Sequence, residues 1–260
     1  MDRVLSADGT SIAYAKTGSG PALVLVHGTT ADHTRWNPIL PEFEKHFTVY
    51  AVDRRGRGES GDTKPYSVEH EVQDVVAVVD AAGPEASLLG NSFGALCSME
   101  AALRTSNLRR LVLYEPPFPV EGLEMYQPGT GDKLQTLLDQ GDREKLLTAF
   151  FRDVVRMPEQ ELAGLRAAPV WKARLTAANT LVREMDDADY VFDPDRFSNL
   201  DIPTLFLQGG NSPPFLTAPS ELLASTLTGS RSVVMPGQGH AAMNTAPDLF
   251  CREVISFLTE

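Results

Sequence analysis

Short, largely apolar runs recur along the chain and predict strands that are buried on both faces. They lie at 22–26, 47–52, 86–89, 110–115, 203–208 and 231–235. A strand in a parallel sheet is covered by helices on both sides, so it reads as a continuous apolar run rather than an alternating one. The pattern therefore predicts a mostly parallel sheet.

Segments with apolar residues at helical spacing separate these runs. In one of them valines recur between Ser67, a favourable helix cap, and Gly83, where the helix should end. Further helices are expected at 36–45 and 248–258, and a hairpin is expected at 8–9. Alternating strands and helices imply right-handed crossovers. We therefore predict an α/β fold with a sheet of about eight strands flanked by helices.

The alternation of strands and helices stops between residues 116 and 199, where no clear buried strand is present. Helical stretches are expected instead at 133–139, 143–155, 160–166 and 171–185. We interpret 116–199 as a helical cap, inserted into a core that comprises residues 1–115 and 200–260.

The charge and composition exclude several kinds of partner. The formal net charge is −12, which argues against nucleic acid because phosphate binding requires a basic face. No apolar run approaches the roughly 18 residues of a membrane span, and no signal peptide is visible, so no membrane partner is expected. Cys97 and Cys251, both in predicted helices, indicate no disulfide framework. We expect a cytoplasmic protein and leave its oligomeric state open.

The pentapeptide G-x-S-x-G centred on Ser92 joins a predicted strand to a predicted helix. Such a pattern also arises by chance as a glycine-bounded turn, but this context favours a nucleophile at the apex. Gly90 and Gly94 are needed because strand and helix pass closely. The turn presents the Ser92 hydroxyl at the carboxyl edge of the sheet, and the N–H of Phe93 at the start of the helix points to the same place.

A serine hydroxyl needs a histidine to take its proton near neutral pH. His240 lies in a flexible loop after the last strand, at the carboxyl edge of the sheet, where a base can reach Ser92. The other four histidines are expected to be structural, and they form no metal-binding pattern such as H-E-x-x-H: His27, His33, His46 and His70. No metal site is predicted.

A second glycine pattern resembles a nucleotide-binding fingerprint. Gly56, Gly58 and Gly61 match G-x-G-x-x-G after a strand. That fingerprint must open directly into a helix, whereas this loop continues through Pro65 before a helix can begin. We therefore expect no cofactor.

The order of motifs resembles the α/β-hydrolase superfamily: a strand, an H-G turn at His27, the loop D-x-x-G-x-G-x-S from Asp53, the G-x-S-x-G turn at Ser92 (the elbow), a cap and a late G-x-G-H loop. The resemblance covers nearly the whole chain outside the cap. It implies an oxyanion hole formed by the N–H groups of Thr29 and Phe93, and mainly structural roles for His27 and Asp53.

The chain departs from the commonest pattern of this superfamily at the acid that orients the histidine. The expected aspartate position, after the penultimate strand, holds Ser212, with Asn211 beside it, and neither carries a charge. Glu115 ends the strand that follows the elbow strand. A glutamate there resembles the acid placement of some haloalkane dehalogenases and of zearalenone-type lactone hydrolases. We predict Glu115 as the acid; the alternative is a strand-end carboxylate in a salt bridge.

These residues predict a serine hydrolase that cleaves a carboxylic ester or lactone through an acyl-enzyme. Four apolar residues are candidates for the walls of a substrate pocket, namely Phe118, Met125, Trp171 and Phe215. Aromatic residues at such spacing more often pack in a core, but together these four favour a hydrophobic substrate. Two alternatives stay open. One is other chemistry on the same fold, namely a C–C hydrolase, a hydroxynitrile lyase or a cofactor-free perhydrolase of the haloperoxidase type; the other is a non-catalytic ligand receptor.

Overall fold

In the part of the chain that the structure describes, the sheet has eight strands, six of them parallel. The computed structural model describes residues 1–185 and 191–260, and the spatial order of the strands is β1-β2-β4-β3-β5-β6-β7-β8. Strands β1 and β2 form the predicted hairpin, and β2 runs antiparallel to β4. The strands are β1 Asp2–Leu5, β2 Ser11–Gly18, β3 Ala22–Val26, β4 Thr48–Val52, β5 Ala86–Asn91, β6 Leu108–Tyr114, β7 Thr204–Gly209 and β8 Arg231–Met235.

Helices cover both faces of the sheet and fill the segment between β6 and β7. They are α1 Leu40–Phe43, α2 Val68–Ala82, α3 Phe93–Ala102, α4 Thr130–Asp139, α5 Arg143–Ala149, α6 Glu159–Ala167, α7 Val170–Ala177, α8 Leu181–Met185, α9 Pro214–Thr226, α10 Ala242–Thr245 and α11 Pro247–Thr259. Ser67 caps α2, and Gly83 ends it, as the sequence predicts.

Alternate residues of the parallel strands β3 to β7 enter two separate hydrophobic clusters, whereas β8 lies at the edge of the sheet and, contrary to the prediction of a strand buried on both faces, is mostly exposed and contributes only to the second cluster. In β3, Val24 and Val26 pack with helices α2 and α3, whereas Leu23 and Leu25 pack with α1 and α11. Successive side chains of a strand point to opposite faces of the sheet, so a strand covered on both sides must be apolar throughout. This explains the continuous apolar runs of the sequence.

The helices of the segment 116–199, which the sequence predicts to be a cap, have a hydrophobic cluster of their own. Leu134, Leu146, Phe151 and Leu181 belong to this cluster, which draws on helices α4 to α8. Within the described residues the cap contributes no strand to the eight-stranded sheet. It lies next to the carboxyl end of β6, and its residues form part of the walls around the elbow.

Three helical predictions differ from the structure. The segment 36–45 is not one helix. It contains only the last residue of a 3-10 turn, His33–Trp36, and the four-residue α1, which includes Pro41. The stretch 143–155 is α5 followed by a π-helical turn, Phe150–Val154. Helices α7 and α8 are separated by a 3-10 turn, Ala178–Thr180, instead of forming one helix.

Helix α9, after β7, was not predicted. Pro214 and Pro219 obscure its periodicity, although a proline is tolerated in the first turn of a helix. Among the helices of residues 1–185 and 191–260, none has the length and apolar character to cross a membrane.

Candidate active site

Ser92 occupies a strained turn between β5 and α3. Its backbone has φ 56° and ψ −128°, and its N–H donates a hydrogen bond of 2.8 Å to the carbonyl of Tyr114. A Cβ added at Gly94 would lie 2.3 Å from the carbonyl oxygen of Val26, and one at Gly90 would lie 2.5 Å from the Cα of Ala95. Only glycine fits on either side of the serine, as the sequence predicts.

Glu115 directly follows strand β6 and is fully buried. Its φ of 50° is in the left-handed region, an uncommon conformation for a residue with a side chain. One carboxylate oxygen, Oε1, accepts a hydrogen bond of 2.7 Å from the N–H of Gly209 at the end of β7. The other, Oε2, forms a short hydrogen bond with Nδ1 of His240. The carboxylate is therefore fixed at both oxygens.

His240 lies in the loop after β8, and the Tyr114 hydroxyl anchors this loop by two hydrogen bonds. The Tyr114 hydroxyl donates to the carbonyl of Gly239 and accepts a bond of 3.1 Å from the N–H of Ala242. The rings of Tyr114 and His240 lie 5.8 Å apart. Because Nδ1–H donates to the Glu115 carboxylate, Nε2 is the nitrogen left to accept a proton.

The residues at the usual position of the acid do not provide a carboxylate. The hydroxyl of Ser212 is buried and has no hydrogen-bond partner among the described residues. The N–H of Asn211 donates to the carbonyl of Gln238 at 2.8 Å, which joins the loops after β7 and β8. Glu115 reaches the end of β7 from the neighbouring strand and occupies the place next to His240.

The turn after β3 brings Thr29 close to the nucleophile. A Cβ added at Gly28 would lie 2.9 Å from the Cβ of Ser92, so glycine is required at this approach. Nε2 of His27 accepts a hydrogen bond of 3.1 Å from the N–H of Arg54, which leaves Nδ1–H to donate to the carbonyl of Gly28 at 2.8 Å. Burial and the nearby arginines hold the pKa of His27 well below its usual value, so a neutral imidazole braces the turn.

The carboxylate of Asp53 organises the loop that follows β4. Its Oδ1 accepts hydrogen bonds of 2.8 Å from the N–H of His33 and from the ring nitrogen of the same residue, and its Oδ2 accepts one of 2.9 Å from the N–H of Glu59. The hydrogen bonds of His27 and Asp53 thus brace two loops, as expected of the structural roles that the resemblance implies.

Two cavities meet at Ser92. The first has a volume of about 280 Å³ and the second about 180 Å³. Both are lined by Thr29, Ser92 and His240, together with Phe150 and Val155 of the cap. A carbonyl carbon placed at Ser92 would therefore have one substituent in each cavity.

Three of the four predicted pocket residues line the second cavity, namely Phe118, Met125 and Phe215, and Phe93 lines it as well. Trp171 does not line either cavity. It lies behind Phe151 with a ring distance of 6.1 Å, and its indole N–H donates to the carboxylate of Glu144 at 2.8 Å. The expectation of a substrate contact at Trp171 is thus corrected: it packs in the cap and supports Phe151, which lines the first cavity.

Residues 23–253 match the sequence profile described as the alpha/beta hydrolase family. The chain belongs to that family. The hydrolase is 36% identical to a solved alpha/beta hydrolase from Sphaerobacter thermophilus, with a TM-score of 0.87 over 98% of this chain and 99% of that one. The predicted fold is confirmed.

Other relatives have named activities. The esterase RhEst1 from Rhodococcus sp. ECU1013 is 25% identical (TM-score 0.82, 100% of this chain, 98% of that chain), and an enol-lactonase from Burkholderia xenovorans LB400 is also 25% identical (TM-score 0.74, 99% and 100%). A pimeloyl-[acyl-carrier protein] methyl ester esterase of Edwardsiella ictaluri is 28% identical over 90% of this chain and 92% of that protein. An N-formylmaleamate deformylase of Pseudomonas putida is 35% identical over 47% of each, so the hydrolase spans about half the length of that relative.

A group of buried ion pairs lies next to the site, and the motifs of the sequence do not predict it. Arg54 contacts Glu71 of α2 at 2.8 Å and Glu184 of α8 at 2.7 Å, and Arg57 contacts the same two carboxylates. All four side chains are buried, and the Arg54 guanidinium lies 4.7 Å from the centre of the Phe93 ring. The run of arginines after β4 was a signal for this group, but its acidic partners are distant in sequence.

Across the described residues, no group of three or more histidine, cysteine, aspartate or glutamate side chains has an arrangement that would hold a metal ion.

Proposed function

We propose that this hydrolase is a serine enzyme that cleaves an ester or lactone of a small hydrophobic substrate, with Ser92 as nucleophile, His240 as base and Glu115 as acid. The bond from Glu115 to Nδ1 of His240 carries this proposal. A buried carboxylate at that nitrogen is the group that a serine triad needs, since it fixes the tautomer and stabilises the imidazolium. The enzyme class, a carboxylic ester hydrolase, follows from three of the relatives, two esterases and an enol-lactonase.

The reaction proceeds in two halves. Nε2 of His240 takes the proton of the Ser92 hydroxyl as its oxygen attacks the carbonyl carbon, and the N–H groups of Thr29 and Phe93 bind the oxyanion. His240 then gives the proton to the leaving alkoxide, and the acyl group remains on Ser92. In the second half His240 activates water, which releases the acid.

The two cavities account for a substrate that extends to both sides of the scissile carbonyl. Phe118, Met125 and Phe215 provide an apolar wall on one side of Ser92, and Phe150 and Phe151 provide one on the other. Burial of apolar groups against these walls supplies binding energy on both sides of the scissile bond.

Hydrolysis of p-nitrophenyl acetate and butyrate by wild type, Ser92→Ala, Glu115→Gln and Ser212→Ala tests the proposal, with circular dichroism as the check on folding. We expect complete loss for Ser92→Ala and a drop in kcat of about two to four orders of magnitude for Glu115→Gln, as loss of a triad acid gives. Ser212→Ala is the matched control and should keep near wild-type activity.

A folded Glu115→Gln variant with near wild-type activity would refute the role of Glu115. Turnover that survives in Ser92→Ala, or a folded wild type that hydrolyses no ester, would refute the serine mechanism. A folded wild type that hydrolyses no ester would also favour the alternative of a non-catalytic ligand receptor.

A further inference from the structure

Two arginines line the first cavity together with Ser92 and His240. Arg174 comes from helix α7 of the cap, and Arg35 comes from the 3-10 turn His33–Trp36 of the core. The remaining walls of this cavity are mainly apolar, with Phe150, Phe151 and Leu165 among them. Two guanidinium groups among apolar walls are energetically costly unless their charges and N–H groups have partners.

Neither arginine has a carboxylate partner within the described residues. Nη1 of Arg174 donates to the carbonyl of Thr29 at 3.3 Å and to the hydroxyl of Thr30 at 3.2 Å, and its Nε is buried without a hydrogen bond to any described residue. Arg35 donates to the amide oxygen of Asn244. Glu161 also lines the cavity, but its side chain is exposed and forms no ion pair with either arginine in the described chain.

The other buried arginines of the protein are neutralised. Arg54, Arg55 and Arg57 each contact buried carboxylates at hydrogen-bond distance. Arg174 is only 7% exposed, and burial, with the positive charge of Arg35 nearby, lowers its pKa to about 9. The Asp32 carboxylate acts against this shift but forms no ion pair with Arg174 among the described residues. Arg174 is still charged at neutral pH, and a buried cation without an ion-pair partner is costly. An anion bound in the cavity would supply the missing charge.

We infer that the first cavity binds a carboxylate of the substrate through Arg174 and Arg35. This inference rests on the proposed function and names its substrate class: esters or lactones that carry a free carboxylate on the part that enters the first cavity. A guanidinium with unused N–H groups suits a carboxylate because it offers parallel donors. The apolar walls around Ser92 then hold the chain between the carboxylate and the scissile carbonyl.

Paired esters test the inference. The first set compares the monomethyl esters of succinate, glutarate and adipate with the methyl esters of butyrate, valerate and hexanoate. The second set places the carboxylate on the alcohol side, as butyryl esters of hydroxy acids against butyryl esters of plain alcohols. We expect wild type to prefer the charged member of at least one pair by about 10- to 100-fold in kcat/KM, as one or two charge-assisted hydrogen bonds give.

The preference should fall to about onefold to threefold in Arg174→Gln and in Arg35→Gln, since each variant loses one of the two cations. Arg174 also supports the Thr29 turn, but a purely structural effect lowers both members of a pair alike and cancels in the ratio. Lys172→Gln is the matched control, because it removes the same charge from an exposed position on the same helix, and it should keep the full preference.

The inference is overturned if wild type hydrolyses the charged and neutral members of every pair equally, or if Arg174→Gln and Arg35→Gln both keep the wild-type ratio. Calorimetric binding of glutarate to the Ser92→Ala protein separates this failure from that of the proposed function. We expect glutarate to bind and methyl valerate, which carries no carboxylate, to bind at least tenfold more weakly. Glutarate binding that survives both arginine substitutions contradicts the inference even if every ester is hydrolysed.

Discussion

Tyr114 and Glu115 are neighbours in the sequence and hold His240 from two sides. Glu115 fixes its ring through Nδ1, and the Tyr114 hydroxyl fixes the loop on which it stands through Gly239 and Ala242. Burial raises the pKa of Tyr114 well above its usual value, so its hydroxyl stays protonated and able to donate. Tyr114 is therefore a positioning residue that acts on catalysis through the histidine loop.

Substitution of Tyr114 by phenylalanine should lower kcat while KM changes little. The variant leaves the carbonyl of Gly239 and the N–H of Ala242 without their shared partner, which we expect to cost about 1–2 kcal/mol of free energy of unfolding. We expect a drop of about tenfold in kcat for p-nitrophenyl butyrate, since the imidazole is held less firmly in its reactive position. Steady-state kinetics and urea unfolding measure the two effects.

Tyr50→Phe is the comparison for this variant, because Tyr50 is equally buried in β4 but packs against Tyr14. It should leave kcat unchanged. If Tyr114→Phe lost stability at unchanged kcat, the hydroxyl would serve folding alone.

The buried ion pairs join three elements: the loop after β4, helix α2 of the core and helix α8 of the cap. Arg54 and Arg57 lie between Glu71 and Glu184, so each cation has two counterions and each carboxylate has two cations. Removal of one member of a buried ion pair leaves an uncompensated charge in the interior. The group therefore ties the cap to the core beside the elbow.

Glu71→Gln should destabilise the protein by about 3 kcal/mol at neutral pH, because it leaves the two arginines with one buried carboxylate. Burial alone would raise the pKa of Glu71, but Arg54 and Arg57 lower it from 4.5 to about 2. A carboxyl with a lowered pKa in the folded state contributes stability above 4.5 and loses it as the pH falls toward 2. The difference in urea midpoint between wild type and variant should thus be full at pH 6 and shrink below pH 4.5.

Glu69→Gln is the matched control on the same helix, since Glu69 is exposed and pairs with Arg104 at the surface. Its effect on stability should be below about 1 kcal/mol, as for other surface ion pairs. A constant difference between wild type and Glu71→Gln from pH 6 to pH 3 would show that Glu71 is not the group that titrates.

At the scale of the molecule, the sequence determines most of the core and less of the cap. The buried strands were predictable because their side chains are apolar on both faces of the sheet, as Val24 and Leu25 are. Helix α2 was predictable because Ser67 caps a run with helical periodicity. The breaks in the cap were not, since the π-helical turn and the split between α7 and α8 depend on packing within the cap cluster.

The residues of the site were likewise predictable only where their place follows from the local sequence. Ser92, His240 and Glu115 come from positions at strand ends, which a sequence can identify by their order. Arg174 and Glu184 come from cap helices whose orientation the sequence does not encode locally, so their places beside Ser92 and Phe93 required the structure. Trp171 was misplaced for the same reason, because its periodicity does not say which face of α7 meets the cavity.

Val155 of the cap lines both cavities, so its size should control the length of chain that the hydrolase accepts. Val155→Ala removes two methyl groups at the junction, and we expect the ratio of kcat/KM for p-nitrophenyl octanoate over acetate to rise about three- to tenfold. The pH profile should not change, because the proposed catalytic residues Ser92, His240 and Glu115 lie outside the cap.

The exposed Val191 offers the same substitution at the surface, and Val191→Ala should leave the chain-length ratio at its wild-type value. An unchanged ratio in Val155→Ala would show that the cap wall does not limit substrate length.

Since Glu115 follows directly on β6, one uninterrupted segment of the chain carries both the nucleophile and the carboxylate. In most arrangements with the acid after the penultimate strand, the cap lies between these two residues in the sequence. Here recombination at residues 115 and 200 would exchange the whole cap and pass on Ser92 with Glu115 as one inherited block, with His240 on the other side. A change in the length of the cap would therefore leave the number of residues between Ser92 and Glu115 unaltered.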